Sequence, residues 1–144
     1  LVVSAIATLE PVSNRLALEK AGDIYYLQDA YNSNEIGFVS ALEVLEQLPA
    51  KRRILMTPGV IELGPEQRVI NKELAEAAAK VCDYIIVVGP LNREAFLDGI
   101  SDKQLIVAAS RDEAFAELEK IKITESIILI ENDLTDFHEA RYKF

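Results

Sequence analysis

The sequence predicts an α/β fold: a mostly parallel sheet with helices on both faces and a β-hairpin at its amino end. Two observations carry this. First, four short apolar runs, at 53–57, 84–88, 104–108 and 126–130, show no polar–apolar alternation, as expected of strands covered on both faces. Second, stretches of helical period separate these runs, which makes them βαβ units. Right-handed crossovers then build a parallel sheet.

Taken in order, residues 1–10 fit either a helix or a strand, and Pro11 ends whatever they form. Residues 15–19 alternate polar and apolar, Lys20-Ala21-Gly22-Asp23 has turn chemistry, and 24–29 is a second strand, so together they read as a hairpin. Phe38, Ala41, Leu42, Leu45 and Leu48 form one helical stripe, closed by Pro49. Pro58-Gly59 breaks the chain after the 53–57 strand. A long helix follows over about 66–81, with Pro65 near its first turn and Ile70, Leu74, Ala77, Ala78 and Val81 turned inward. Asn92 is placed to cap a short helix at 93–98, and Ser110 a helix at 111–122 with Ala114, Phe115, Leu118 and Ile121 inward. The tail 131–144 is polar and ends with Tyr142 and Phe144.

The 144 residues are half hydrophobic and 27% charged, the composition of one folded domain rather than a disordered chain. The net charge of −9 argues against general nucleic-acid or anionic-membrane binding, which need a basic face. One Cys and one His cannot build a Cys/His zinc site, Cys82 has no internal disulfide partner, and a cytosolic setting fits. No apolar run approaches a membrane span. The start at Leu1, without Met or a basic leader, reads as a processed product or an excised piece of something longer.

In parallel sheets ligands bind beyond the carboxyl ends of the strands, which are here Asp29, Thr57, Gly89, Ala109 and Asn132. Gly59 and Gly64 have the spacing of a phosphate loop, but Pro65-Glu66 stand where Lys and Ser/Thr are required, and Glu62 adds a repelling carboxylate. There is no G-x-G-x-x-G either. Asp29-Ala30-Tyr31-Asn32-Ser33-Asn34 admits two readings. A carboxylate at a strand end can accept both hydroxyls of a ribose, or the segment is an Asx turn with Asn34 as a helix cap. Glu131-Asn132-Asp133-Leu134-Thr135-Asp136 likewise is either a site for Mg²⁺ or a substrate ammonium, or a solvated capping loop. His138 reads as a surface residue, Cys82 as a buried apolar one, and Ser110 has no neighbouring His for a triad.

At these loops the sequence resembles the Mur ligase family. Pro11-Val12-Ser13-Asn14-Arg15-Leu16 is similar to that family's Pro-Val-x-x-Arg-Leu passage, and residues 29–34 to its Asp-Ser-Tyr-Asn-Ala-Asn motif. Ile61-Glu62-Leu63-Gly64 resembles its Glu-Leu-Gly turn, and residues 131–136 its Glu-Asn-Asp-Leu-Pro-Asp segment. Within the family the chain most resembles the UDP-N-acetylmuramoyl-tripeptide:D-alanyl-D-alanine ligases.

The resemblance implies a Rossmann-like, three-layer C-terminal domain over 15–144, with 1–14 as the tail of a preceding central domain. It implies an ATP-driven ligase of bacterial cytoplasm, active in peptidoglycan synthesis. There ATP phosphorylates the carboxylate of a UDP-muramoyl peptide and an amine attacks the acyl phosphate. Arg15 would then contact ATP phosphates and Asp29 the ribose. Tyr31, Asn32 and Asn34 would border nucleotide and amine, and Glu62, Asn132 and Asp133 would face the substrate. ATP and Mg²⁺ belong to the full-length parent, whose central ATPase domain and N-terminal domain are the implied partners. This fragment would hold no metal, bind ATP weakly and catalyse nothing alone. The competing reading is a stand-alone α/β interaction or regulatory module.

Overall fold

A computed structural model describes residues 16–29 and 34–132 of the chain. Its elements are β1 (Leu16–Ala21), β2 (Ile24–Asp29), α1 (Glu35–Gln47), β3 (Arg52–Thr57), a 3-10 turn (Gly64–Glu66), α2 (Gln67–Val81), β4 (Tyr84–Val88), α3 (Arg93–Gly99), β5 (Leu105–Ala108), α4 (Arg111–Ile121) and β6 (Ser126–Ile130). The strands form one sheet in the order β1-β2-β6-β3-β4-β5. β1 and β2 are antiparallel, and all other neighbours are parallel. This is the Rossmann-like sandwich expected, with its hairpin on one edge. The hairpin turn is tighter than expected: only Gly22-Asp23 lie outside the strands, because Gly22 accepts φ +65.

The two sheet faces separate by residue parity. Leu27, Leu55, Ile85, Val87, Ile127 and Leu129 meet Phe38, Leu45, Leu74, Ala78 and Phe96 from α1, α2 and α3. Ile54, Met56, Ile86, Val88 and Ile128 meet Ala114 and Leu118 from α4. Every buried strand therefore contributes apolar side chains to both layers, which is why its sequence lacks alternation.

Consecutive arginines at the start of β3 follow the same parity. Arg53 Nε and Nη2 donate to the carbonyls of Leu45 (2.9 Å), Glu46 (3.2 Å) and Leu48 (2.5 Å), closing the C-terminus of α1, which has no basic residue in its own last turn. On the other face Arg52 lies over the Tyr84 ring, 5.2 Å from its centroid, and donates to the Ile121 carbonyl at the end of α4 (2.6 Å). Gln104, expected in a strand, lies before β5, and its amide closes α2 on the carbonyls of Ala79 and Cys82.

The inward face of α2 also differs from expectation. Asn71, Leu74, Ala75 and Ala78 are buried, whereas Ile70, Ala77 and Val81 are half-buried. The helix is rotated so that Asn71 enters the interior, where its amide oxygen accepts from Val60 N.

Cys82 is buried where α2 meets β4, and burial pushes its thiol from the ordinary 9.0 up to about 12. The raised value means the folded state retains a proton that the unfolded state releases. Stability linked to Cys82 is therefore full below about pH 9 and is lost as pH rises from there toward 12, by at most about 1.4 kcal/mol per pH unit. Urea midpoints at pH 8 and pH 10.5 should fall more in the natural chain than in Cys82→Ala. Equal falls would show that the thiol ionises freely in the folded protein.

Candidate functional site

The strand register brings the sequence-predicted loops to one edge. Gln28 is opposite Ile130, and Ile130 is opposite Met56, so Asp29, Glu131 and Thr57 end three neighbouring strands at one level. A bond from Glu131 N to Met56 O (3.1 Å) continues this level beyond the ladder. The loop after β4 joins them, since Asn92 reaches the carbonyls of Pro58 and Val60. The strand ends at Asp29, Thr57 and Asn132 thus lie on one edge, as predicted, and Asn132 Nδ2 reaches the Gly59 carbonyl of the loop that carries Glu62. Arg15, Tyr31, Asn32 and Asp133 lie outside the described residues, as do the 1–10 segment, His138 and the rest of the tail.

Asn34 is at the N-cap of α1, and its side chain accepts from Gly37 N at 2.8 Å. The capping reading of Asn34 is therefore realised, which occupies its carbonyl oxygen but does not exclude a ligand from the exposed residue. Ser110 also caps as expected, accepting from Glu113 N. Asn92 does not: it is the N-cap residue of α3 but makes no side-chain cap bond. Its amide is committed to the loop after β3 instead.

That loop, 58–63, is held almost entirely by side chains. Thr57 Oγ1 accepts from Gly59 N (3.0 Å) and Asn71 Oδ1 from Val60 N (2.9 Å). The Val60 carbonyl accepts from Gln67 Nε2 (2.6 Å), Asn71 Nδ2 (2.9 Å) and, more weakly, Asn92 Nδ2 (3.3 Å). Asn92 Nδ2 also donates to Pro58 O (2.8 Å), and Asn132 Nδ2 to Gly59 O. Gln67 donates to Asn92 Oδ1 and accepts from Leu63 N. Thr57, Asn71, Asn92 and Asn132 are all buried, so the bonds these four make to the loop backbone lie away from water, where leaving them unmade is costly. At the loop's tip Glu62 is exposed and adopts φ +66. Asn132, at the end of β6, adopts φ +69.

Gln67, Asn71 and Asn92 are members of this site that sequence reading missed. A signal was present for one of them: Asn71 shares the i, i+3, i+4, i+7 face with Leu74, Ala75 and Ala78, an apolar stripe with one amide in it.

Chemically, this edge offers carboxylates and amides. Glu131 is a fully buried carboxylate beside it. Such a set fits a ribose or an ammonium group and does not fit a triphosphate, which needs donors and cations. Among the described residues no cluster of His, Cys, Asp and Glu could hold a metal ion, and no helix is long and apolar enough to cross a membrane.

The family model described as Mur ligase, glutamate ligase domain, matches residues 14–130. The UDP-N-acetylmuramoyl-tripeptide–D-alanyl-D-alanine ligase of Escherichia coli (strain K12) is 31% identical over 90 residues, covering 61% of this chain and 20% of that protein. In fold, the chain is similar to MurF from Acinetobacter baumannii (TM-score 0.71, 21% identity, 90% of this chain and 29% of that one). It is similar also to the MurF ligase of Thermotoga maritima in complex with ADP (TM-score 0.70, 18% identity, again 90% and 29%). The chain therefore spans about a fifth of the curated relative and under a third of each of these structures.

Proposed function

Since the chain belongs to the Mur ligase family, by its glutamate ligase domain, we propose that it is the C-terminal domain of an ATP-dependent ligase that forms a peptide bond on a UDP-muramoyl peptide. In this reading it helps to bind ATP and the incoming amino acid or dipeptide. The observation that carries it is the shared level of Asp29, Glu131 and Thr57 at the ends of β2, β6 and β3. It brings the starts of the 29–34 and 131–136 motifs, and the strand that leads into the 61–64 motif, to one edge of the sheet, where such folds bind ligands.

The division of labour is the one the family resemblance implies. Asp29 receives the ribose hydroxyls, with Arg15, Tyr31, Asn32 and Asn34 around the nucleotide. Glu62, Asn132 and Asp133 face the amine. The ADP named with the Thermotoga structure supports a nucleotide as ligand, and the E. coli relative's name supports D-alanyl-D-alanine as the amine. ATP supplies activation of the substrate carboxylate when bound. The phosphate loop, the Mg²⁺ ligands and the UDP-sugar site come from a central ATPase domain and an N-terminal domain of the parent, in the cytoplasm, and the fragment alone is inactive.

Asp29→Ala in the full-length ligase tests the nucleotide half of this reading. Losing hydrogen bonds to a charged acceptor should cost about 1.5–3 kcal/mol, roughly a 10- to 150-fold loss. The loss should appear as a raised KM for ATP, with the KM of the UDP-linked substrate little changed. Unchanged ATP kinetics, or a loss explained wholly by a lower melting temperature, would leave Asp29 as a turn-former only.

A further inference from the structure

The 58–63 loop is divided into a held part and a presented part. Pro58, Gly59, Val60 and Leu63 are bonded through their backbones to Thr57, Gln67, Asn71, Asn92 and Asn132. Ile61 and Glu62 stand between these anchors and are exposed. A left-handed backbone at a residue with a side chain, such as Glu62 at φ +66, persists only where the surroundings over-determine it. The anchors on both sides do so. Gln67 and Asn92 carry the constraint across elements, because the Gln67 amide bonds Asn92 while both bond the Val60 carbonyl.

We propose that Asn92, with Gln67, Asn71 and Asn132, is a positioning residue for Glu62. The amide clamp fixes the loop so that the Glu62 carboxylate stands off the carboxyl edge of the sheet, set to receive the ammonium group of the incoming amine. The clamp tethers the loop after β3 to α2, to the loop after β4 and to the end of β6, so Glu62 is placed relative to three other elements rather than to its own loop alone. This rests on the reading of Glu62 as an amine-facing residue.

The test is steady-state kinetics of the full-length ligase with D-alanyl-D-alanine as amine, using Glu62→Gln, Asn92→Asp and the double variant. Asn92→Asp keeps shape but turns a carboxylate toward the Pro58 and Val60 carbonyls. Each single change should raise the amine KM about 10-fold, the effect of losing one charge-assisted contact, and leave the KM for ATP unchanged. The double variant should be no worse than Glu62→Gln alone, since Asn92 acts through Glu62. If Asn92→Asp does not fold, Gln67→Glu at the half-buried rim of the clamp takes its place in the cycle. A clamp variant that folds with an unmoved amine KM, or effects that multiply in the double variant, would overturn the positioning role while leaving the Glu62 reading intact. An unmoved amine KM in Glu62→Gln would overturn that reading and the proposal with it.

Discussion

Gly59→Ala is expected to destabilise the chain by about 3–5 kcal/mol, from backbone strain and lost buried hydrogen bonds together. At φ +88 an L side chain is strained whatever the space around it. Here there is no space: a Cβ would lie 2.5 Å from Asn92 Nδ2 and 2.6 Å from Asn71 Oδ1. Both amides would have to withdraw, and the bonds they make to Pro58 O, Val60 N and Val60 O would go unmade in a buried setting. Gly22→Ala separates the two causes. It has a similar φ, +65, but nothing within 4 Å of its Cβ, so only strain of about 1–2 kcal/mol should appear. Urea unfolding of both variants measures the difference. Equal losses would mean that the clamp yields without cost.

Arg53→Ala should cost about 2–4 kcal/mol, because one guanidinium satisfies three carbonyls at the end of α1 and bonds to a charged donor are the stronger kind. Arg53→Lys should recover less than half, since a single ammonium cannot span Leu45, Glu46 and Leu48 as a planar fork does. The midpoint of urea unfolding reads both. A loss under about 0.5 kcal/mol in Arg53→Ala would show that water caps the helix equally well.

Much of the fold was legible because the doubly covered strands announce themselves. Ile85-Ile86-Val87-Val88 and Ile127-Ile128-Leu129 have no polar residue to alternate, and the structure gives one face of each to α1–α3 and the other to α4. Strand ends were legible for the same reason, and with them the carboxyl edge that carries Asp29, Thr57 and Asn132. Strand order was not: β6 is inserted between β2 and β3, a long-range choice that no local pattern encodes.

The roles of long polar side chains were the other hidden layer. Arg52 and Arg53 close helices on opposite faces, and Gln104 closes α2. Asn92 carries a cap residue's identity at a cap position, yet bonds a loop 34 residues back at Pro58. Local propensity describes what such a residue can do beside its own backbone, and tertiary neighbours then offer a better-buried partner. Asn34 and Ser110, exposed at helix starts, had no such competitor and capped as their sequence predicted.

The central claim, that this domain completes a ligase joining an amine to a UDP-muramoyl peptide, is tested most directly by product formation. The full-length protein should be incubated with ATP, UDP-N-acetylmuramoyl-tripeptide and D-alanyl-D-alanine, and the UDP-linked product followed by mass spectrometry. The account predicts a new amide-linked product that forms only when all three are present, with ADP released in equal amount, and none from the 144-residue chain alone. ADP release without the amide product, or product formed by the isolated chain, would contradict it.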